Sequence, residues 1–221
     1  MNRVTGIFML ILLVAGYSCR PKEKSSVKDE ISYPREEGWL FDGKSLNGWG
    51  ITNFGPQGPV SVSDGNIVLS MGDGSTGITW KEDFPVDNYE VSLEAMKVDG
   101  NDFFCGLTFP VGKDPCTLIV GGWGGTVVGL SSINGMDASE NETSTLRQFE
   151  KNRWYRIRLK VAGGKIQAWI DDDQVVDFTI GDNTISIRPE VELSRPFGIA
   201  SWNTTAALRN IRVVQDGLEK N

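Results

Sequence analysis

Read for apolar and polar positions, the chain alternates with period two along most of its length. In YEVSLEA, Tyr89, Val91, Leu93 and Ala95 hold one parity, and Glu90, Ser92 and Glu94 the other. Successive side chains of a strand point to opposite faces, so this segment reads as a strand with one wet face. Met96 and Val98 then take the apolar role on the other parity, which predicts a bulge near Ala95. YRIRLKV sets Tyr155, Ile157, Leu159 and Val161 against Arg156, Arg158 and Lys160. IQAWI follows after the turn AGGK, and QVVDFTI after Asp171, Asp172 and Asp173; VSVSDGNIVLS has the same form around Asp64 and Gly65. Strand, Gly- or Asp-rich turn, strand is the signature of a hairpin. FGIASW and LRNIRVV supply the last strands.

No segment of this region keeps helical period over three turns, and the polar residues 136–150 predict a short helix or a long loop. About a dozen short strands without a repeat predict an all-β fold, a two-sheet antiparallel sandwich, with a barrel as the alternative. The apolar bands of a membrane-spanning barrel are missing from the pattern.

The first residues depart from it. Arg3 precedes an apolar run from Ile7 to Ala15, then Gly16, Tyr17, Ser18 and Cys19. That is the form of a secretory signal, too short for a comfortable membrane span. The four residues ending in Cys19 resemble a bacterial lipobox, with Gly16 where an aliphatic residue is usual. The expected organisation is a signal peptide over residues 1–18, a flexible tether from a lipidated Cys19 to residue 37, and one sandwich domain over residues 38–217. Arg20, Pro21, Lys22, Glu23 and Lys24, directly after Cys19, are basic on balance, which points to a lipid-anchored envelope protein on the periplasmic side.

Net charge is −7, which argues against nucleic acid as a partner. No basic patch interleaved with aromatics stands out, and the alternating arginines of RWYRIRLK read as one solvated face. The chain contains no histidine, so any acid–base chemistry falls to other groups. Two further cysteines, Cys105 and Cys116, flank a segment with turn residues. An oxidising compartment permits a disulfide between them; two separate buried thiols are the other reading.

Several segments, in this order, resemble the 3-keto-disaccharide hydrolase family. GWLFDGKSLNGW is similar to its opening motif and VSVSDGNIVLS to its next hairpin. FPVDNYEVSLEAMKV is similar to its long central strand, RWYRIRLKV with KIQAWIDDDQVVDF to its late hairpins, and LRNIRVV to its closing strand. The resemblance implies a concanavalin-like jelly roll and a substrate with a ketone at C3 of a sugar. It departs from the family in two places. Ser201, Trp202 and Asn203 stand where many members carry a histidine, and GNDFFCGL stands where many carry Gly-Asn-Ser-Gly.

A C3 ketone acidifies the C2 hydrogen. Cleavage therefore needs a base, a group that stabilises the enolate, and help for the leaving oxygen. No cofactor is required for certain; a divalent cation held by carboxylates, carbonyls and waters is one way to hold the enolate. SIRPEVELSRP offers Glu190 and Glu192. Read as a strand, both lie on one face about 7 Å apart, with Arg188 on the same parity and Val191 and Leu193 facing the core. A like-charged pair raises a carboxyl pKa toward neutrality. The alternative is a solvent-facing row of charges.

Trp123, alone among the glycines of VGGWGG, is a candidate sugar platform or a filler between sheets. Trp80 and Trp202 are further platforms, Asn203 a partner for sugar hydroxyls, and Asp102 a hydroxyl or cation ligand or a turn residue. Trp39 and Trp49 are expected in the core. Asp137, Glu140 and Asn141 lie on a loop without EF-hand spacing. Two functions follow. One is an enzyme that hydrolyses 3-keto-glycosides or 3-keto-disaccharides; the other is a non-catalytic glycan-binding lipoprotein on the same fold.

Overall fold

The alternating segments become strands because only that geometry buries every second side chain. The computed structural model describes Met1 and residues 38–215. The expected signal, Cys19 and tether lie outside these residues. Among the described residues the strands are β1 (Trp49–Ile51), β2 (Val60–Ser63), β3 (Asn66–Leu69), β4 (Ser75–Trp80) and β5 (Tyr89–Gly100). Then come β6 (Cys105–Val111), β7 (Asp114–Gly122), β8 (Val127–Ser131), β9 (Thr145–Leu146) and β10 (Trp154–Ala162). Last are β11 (Lys165–Ile170), β12 (Asp173–Thr179), β13 (Gly198–Trp202) and β14 (Thr204–Gln215).

They form two antiparallel sheets of seven strands each. The front sheet runs β1-β4-β13-β6-β7-β8-β9 and the back sheet β12-β11-β10-β5-β14-β3-β2. The predicted sandwich is therefore the fold, and the hairpins at Asp64–Gly65, Gly163–Gly164 and Asp171–Asp172 all pair. Residues 136–150 form a loop with only the short β9. Asn141 holds it: its buried amide donates to the carbonyls of Leu130, Met136 and Asp137.

The bulge lies a little further on than expected. β5 pairs with β10 without interruption from Tyr89 to Met96, and the register against β14 breaks at Val98. The inward parity therefore continues to Lys97, which is buried.

The core lies between the sheets. Trp49 and Trp80 meet edge to face at 5.1 Å, and Phe84 stacks on Phe197 at 4.1 Å. Such pairs add about 0.5–1.5 kcal/mol beyond the area they bury. In the opening motif, Asp42 Oδ1 accepts the amides of Lys44 and Ser45, and Trp49 Nε1 donates to the Leu40 carbonyl. Trp39, expected beside Trp49, instead lies half-buried on the outer face of the back sheet under Arg212.

Cys105 and Cys116 are free and buried. In the β6–β7 register Cys105 faces Val120 and Cys116 faces Phe109. Four strand positions separate them, about 13 Å, while a disulfide requires Cα atoms within about 7 Å. Burial pushes both thiols up to about 12.

Candidate functional site

Strand register decides what the outer face of the front sheet carries. Ile78, Ile199, Leu107, Leu118 and Leu130 lie side by side toward the core. The positions between them face outward. One outward row reads Thr79, Gly198, Thr108, Thr117, Ser131, and the next Gly77, Ala200, Gly106, Ile119, Gly129. Small side chains let other segments lie directly on this face. A Cβ on Gly106 would stand 2.9 Å from the Phe103 ring, and one on Gly198 2.6 Å from the Ser194 carbonyl. Between these covering segments a hollow of about 200 Å³ remains.

Its floor is Thr117, Ile119 and Ser131. Ser75, Trp202, Asp102, Phe103 and Trp123 line it, and so do Arg188, Glu190 and Val191. The structure thus brings together Trp123, Trp202, Asp102, Arg188 and Glu190. Glu192, Asn203 and Trp80 are not among its lining residues.

The Trp123 loop explains its glycines. Gly121, Gly124 and Gly125 have φ of 81°, 84° and 97°. The amides of Gly125 and Thr126 both donate to the Gly122 carbonyl, closing a tight turn. A Cβ on Gly125 would stand 3.0 Å from the Asn101 carbonyl, so the loop lies against the 101–102 corner. Asp102 ties the two: its Oδ1 accepts the Phe103 amide at 2.8 Å and its Oδ2 the Gly124 amide at 3.4 Å. Trp123 itself has φ 47° and stays 41% exposed. A bulky residue in the left-handed region costs about 1–2 kcal/mol, and such strain concentrates at functional sites. The ring is therefore not a filler between the sheets.

Trp202 comes from a different device. β13 ends at Trp202 and β14 begins at Thr204 in the other sheet. Asn203, at φ 42°, is the single residue at which the chain changes sheets. Its amide donates to the Gly74 carbonyl at 3.2 Å. Asn203 is thus the corner residue between the sheets, and it does not line the hollow. Trp80 is 3% exposed, packs in the core on Trp49, and donates from Nε1 to the Asp83 carbonyl.

The segment expected as a strand with paired glutamates is a 3-10 helix, Pro189–Ser194. Proline at its first position has a φ already suited to a helix. With three residues per turn, positions two apart point about 240° apart, so Glu190 and Glu192 separate. Glu190 turns to Arg188, which donates from Nη2 to Oε1 at 2.8 Å and from Nε to Oε2 at 3.4 Å. Glu192 pairs with Arg195 at 2.7 Å. Val191 is buried, while Leu193, expected in the core, is exposed.

Arg188 is held from the other side as well, donating to Asp137 Oδ2. Asp137 in turn accepts from the hydroxyls of Ser131 and Ser132. The hydrogen bond from Arg188 holds the Glu190 carboxyl below the usual glutamate range. The same pairing raises Arg188, which stays cationic. The expected upward shift from a like-charged neighbour is therefore reversed, because the neighbour is a cation.

These partners also bear on a cation. Both oxygens of Glu190 face Arg188, and both of Asp102 accept backbone amides. Among the described residues no three His, Cys, Asp or Glu side chains come together. The hollow's donor set does not fit a divalent ion.

Sequence reading missed Ser75, Phe103 and the small-residue floor, and it noted Asp137 as a loop residue without foreseeing its hold on Arg188. Their signal is tertiary: Ser75 stands opposite Trp202 only through the β4–β13 register.

A family model described as the 3-keto-alpha-glucoside-1,2-lyase-like domain matches residues 38–214. No curated protein matches the chain. Among solved structures, a Bacillus subtilis protein of unknown function with a galectin-like fold is similar at TM-score 0.54 and 14% identity, over 76% of this chain and 90% of that one. The VIP36 exoplasmic/lumenal domain, in its Ca2+/Man3GlcNAc-bound form, is similar at TM-score 0.53 and 10% identity, over 85% and 91%. The carbohydrate-binding module CBM66 from Bacillus subtilis is similar at TM-score 0.50 and 18% identity, over 75% and 94%. At these identities the likeness is one of fold.

Proposed function

Since this chain belongs to the 3-keto-alpha-glucoside-1,2-lyase-like family, we propose that its front-sheet hollow takes a 3-keto-glycoside and cleaves the bond at C1. The observation that carries the reading is that two tryptophans and an Arg188–Glu190 pair line one hollow. A sugar has an apolar C–H face and a polar edge. Trp123 and Trp202 suit the first, and Arg188, Glu190 and Asp102 the second. Two of the similar structures are named for carbohydrate binding, which supports a glycan as partner.

The proposed chemistry uses the chain's own groups. Arg188 donates to the C3 oxygen and stabilises the negative charge that develops there. Drawing that donor away from Glu190 relieves the contact that lowers its pKa, so the carboxylate gains basicity as the substrate arrives. Glu190 takes the C2 proton, the C1–C2 double bond forms, and the C1–O bond breaks with its electron pair on the departing oxygen. Water then adds at C1 and a proton returns to C2, completing hydrolysis.

A second reading, glycan binding without catalysis, is favoured by one observation. Arg188 holds Glu190 below its ordinary range, the opposite of what a base near neutrality uses. Purified protein with p-nitrophenyl 3-keto-α-glucoside, with and without EDTA, separates the two. Release of nitrophenol that survives EDTA and falls at least a hundredfold in Glu190→Gln supports the lyase reading. Binding without release supports the other.

The proposal extends to location: a lipid on Cys19 would hold the domain at the periplasmic side of an envelope membrane. Loss of radiolabelled palmitate incorporation in Cys19→Ala would support it, and unchanged incorporation would refute it. Among the described residues no helix is long and apolar enough to cross a membrane.

A further inference from the structure

We propose that Ser75 is the polar specificity contact of the hollow, its Oγ exchanging a hydrogen bond with a hydroxyl, or donating one to a carbonyl oxygen, of the sugar ring stacked on Trp202. The inference rests on the sugar-binding reading above and adds to it a residue and the part of the ligand it meets.

The hydroxyls of the hollow differ in their partners. Thr117 Oγ1 is hydrogen-bonded to Thr108 Oγ1, and Ser131 Oγ donates to Asp137. These floor groups are occupied within the protein. Ser75 is 4% exposed, and its Oγ has no hydrogen-bond partner in the protein. A buried hydroxyl without a partner is costly, and native structures keep few of them.

Ser194 and Ser201 also carry unpartnered buried hydroxyls. Neither lines the hollow; Ser75 does. Its direction follows from register. Thr76, Ile78 and Trp80 alternate with Ser75, Gly77 and Thr79 along β4, and Ile78 and Trp80 belong to the core. Ser75 therefore faces outward, directly opposite Trp202 on β13. Gly74 keeps the space beside that ring: a Cβ there would stand 3.7 Å from it. A sugar lying on the indole presents its hydroxyls at the ring edge; the Ser75 Oγ is buried in the unliganded protein, and a rotamer change about Cα–Cβ would bring it to one of them, where it can donate or accept.

Arg188 and Glu190 satisfy each other and recognise charge that develops during reaction. Ser75 is satisfied by neither and recognises the ground state. It should therefore govern binding of the sugar more than the rate of the chemical step.

The test is calorimetric titration of methyl 3-keto-α-glucoside into the wild type, Ser75→Ala and Trp123→Ala, with a thermal melt of each. The proposal expects Ser75→Ala to bind roughly tenfold more weakly while its Tm stays level or rises, since an unpartnered buried hydroxyl has been removed. Across mono-deoxy versions of the probe, one position should lose its contribution in Ser75→Ala and the others should keep theirs. A Ser75→Ala Tm several degrees lower would show a structural role and overturn the inference. So would Ser75→Ala binding at wild-type strength while Trp123→Ala binds weakly, an outcome that leaves the sugar-binding reading standing. If the wild type does not bind the probe, or if neither variant changes its affinity, both fall.

Discussion

The two sheets show opposite outer faces. The back sheet turns out long charged side chains and tryptophans. Arg158 lies over Trp169 at 3.9 Å and Arg209 over Trp154 at 4.0 Å, with Arg212 over Trp39. Carboxylates interleave with them: Glu94 pairs with Arg209, Glu90 with Arg158, and Asp172 with Arg156. The aromatic and basic residues are interleaved here after all, but across strands rather than along one. Each ring already has a cation over it. The front sheet turns out glycine, alanine, serine and threonine, and other segments lie on it. β4, β6 and β8 are consequently buried on both faces almost throughout. A face covered by its own long side chains is a surface. A face of small residues, partly roofed by a 3-10 turn and a glycine loop, encloses a hollow.

The largest effect that tests this contrast is steric. A Cβ on Gly77 would stand 2.6 Å from the Ile199 carbonyl. Gly77→Val should cost about 3 kcal/mol and lower Tm by roughly 6–12 °C. Ser92→Val on the back sheet should change stability by only about 0.5 kcal/mol. Equal losses in urea denaturation would break the contrast.

Next comes the platform. Trp123→Gly should weaken sugar binding at least about tenfold. The melt should show no loss, and a gain of up to about 1 kcal/mol, because glycine tolerates the φ of 47°. A destabilised variant would mean that the ring packs rather than presents itself.

The arginines sharpen the contrast further. Arg188→Ala should remove turnover, whereas Arg158→Ala should leave it intact and cost about 0.5–1 kcal/mol through its lost stack on Trp169. Loss of turnover in both, measured as product release, would argue against a single functional face.

The smallest effect is on pH. The Glu190 pKa is depressed in the folded protein by the Arg188 hydrogen bond. Its contribution to stability is therefore present above the ordinary glutamate pKa and is lost as pH falls through the lower, folded value. Both groups are substantially exposed, so solvent screening keeps the contribution well under about 1 kcal/mol. Thermal melts of wild type and Glu190→Gln should differ slightly at neutral pH and converge in acid. A gap that widens in acid would reverse the sign.

Much of this could be read from the order of residues alone. The residue pattern identified all seven strands of the back sheet and β13 of the front one, because a half-buried strand leaves its mark at the spacing of its own side chains; β4, β6 and β8, buried on both faces, carry no such mark. Turn residues identified the hairpins, because Asp64, Gly65, Gly163 and Gly164 adopt positive φ at little cost. The sequence also pointed to Trp123, Trp202, Arg188, Glu190 and Asp102, residue types suited to a sugar. What it could not carry was register and local path. Glu190 and Glu192 share a face on a strand and part on a 3-10 helix, and proline at position 189 biased that choice without deciding it. The Cys105–Cys116 offset is set by the register of the β6–β7 hairpin, the Asn203 corner by the sheets that β13 and β14 join, and the meeting of Ser75 with Trp202 by a pairing between strands far apart in the chain. Alternation is written in neighbouring residues; a hollow on a sheet is assembled from residues more than a hundred positions apart, and only the folded chain brings them within reach.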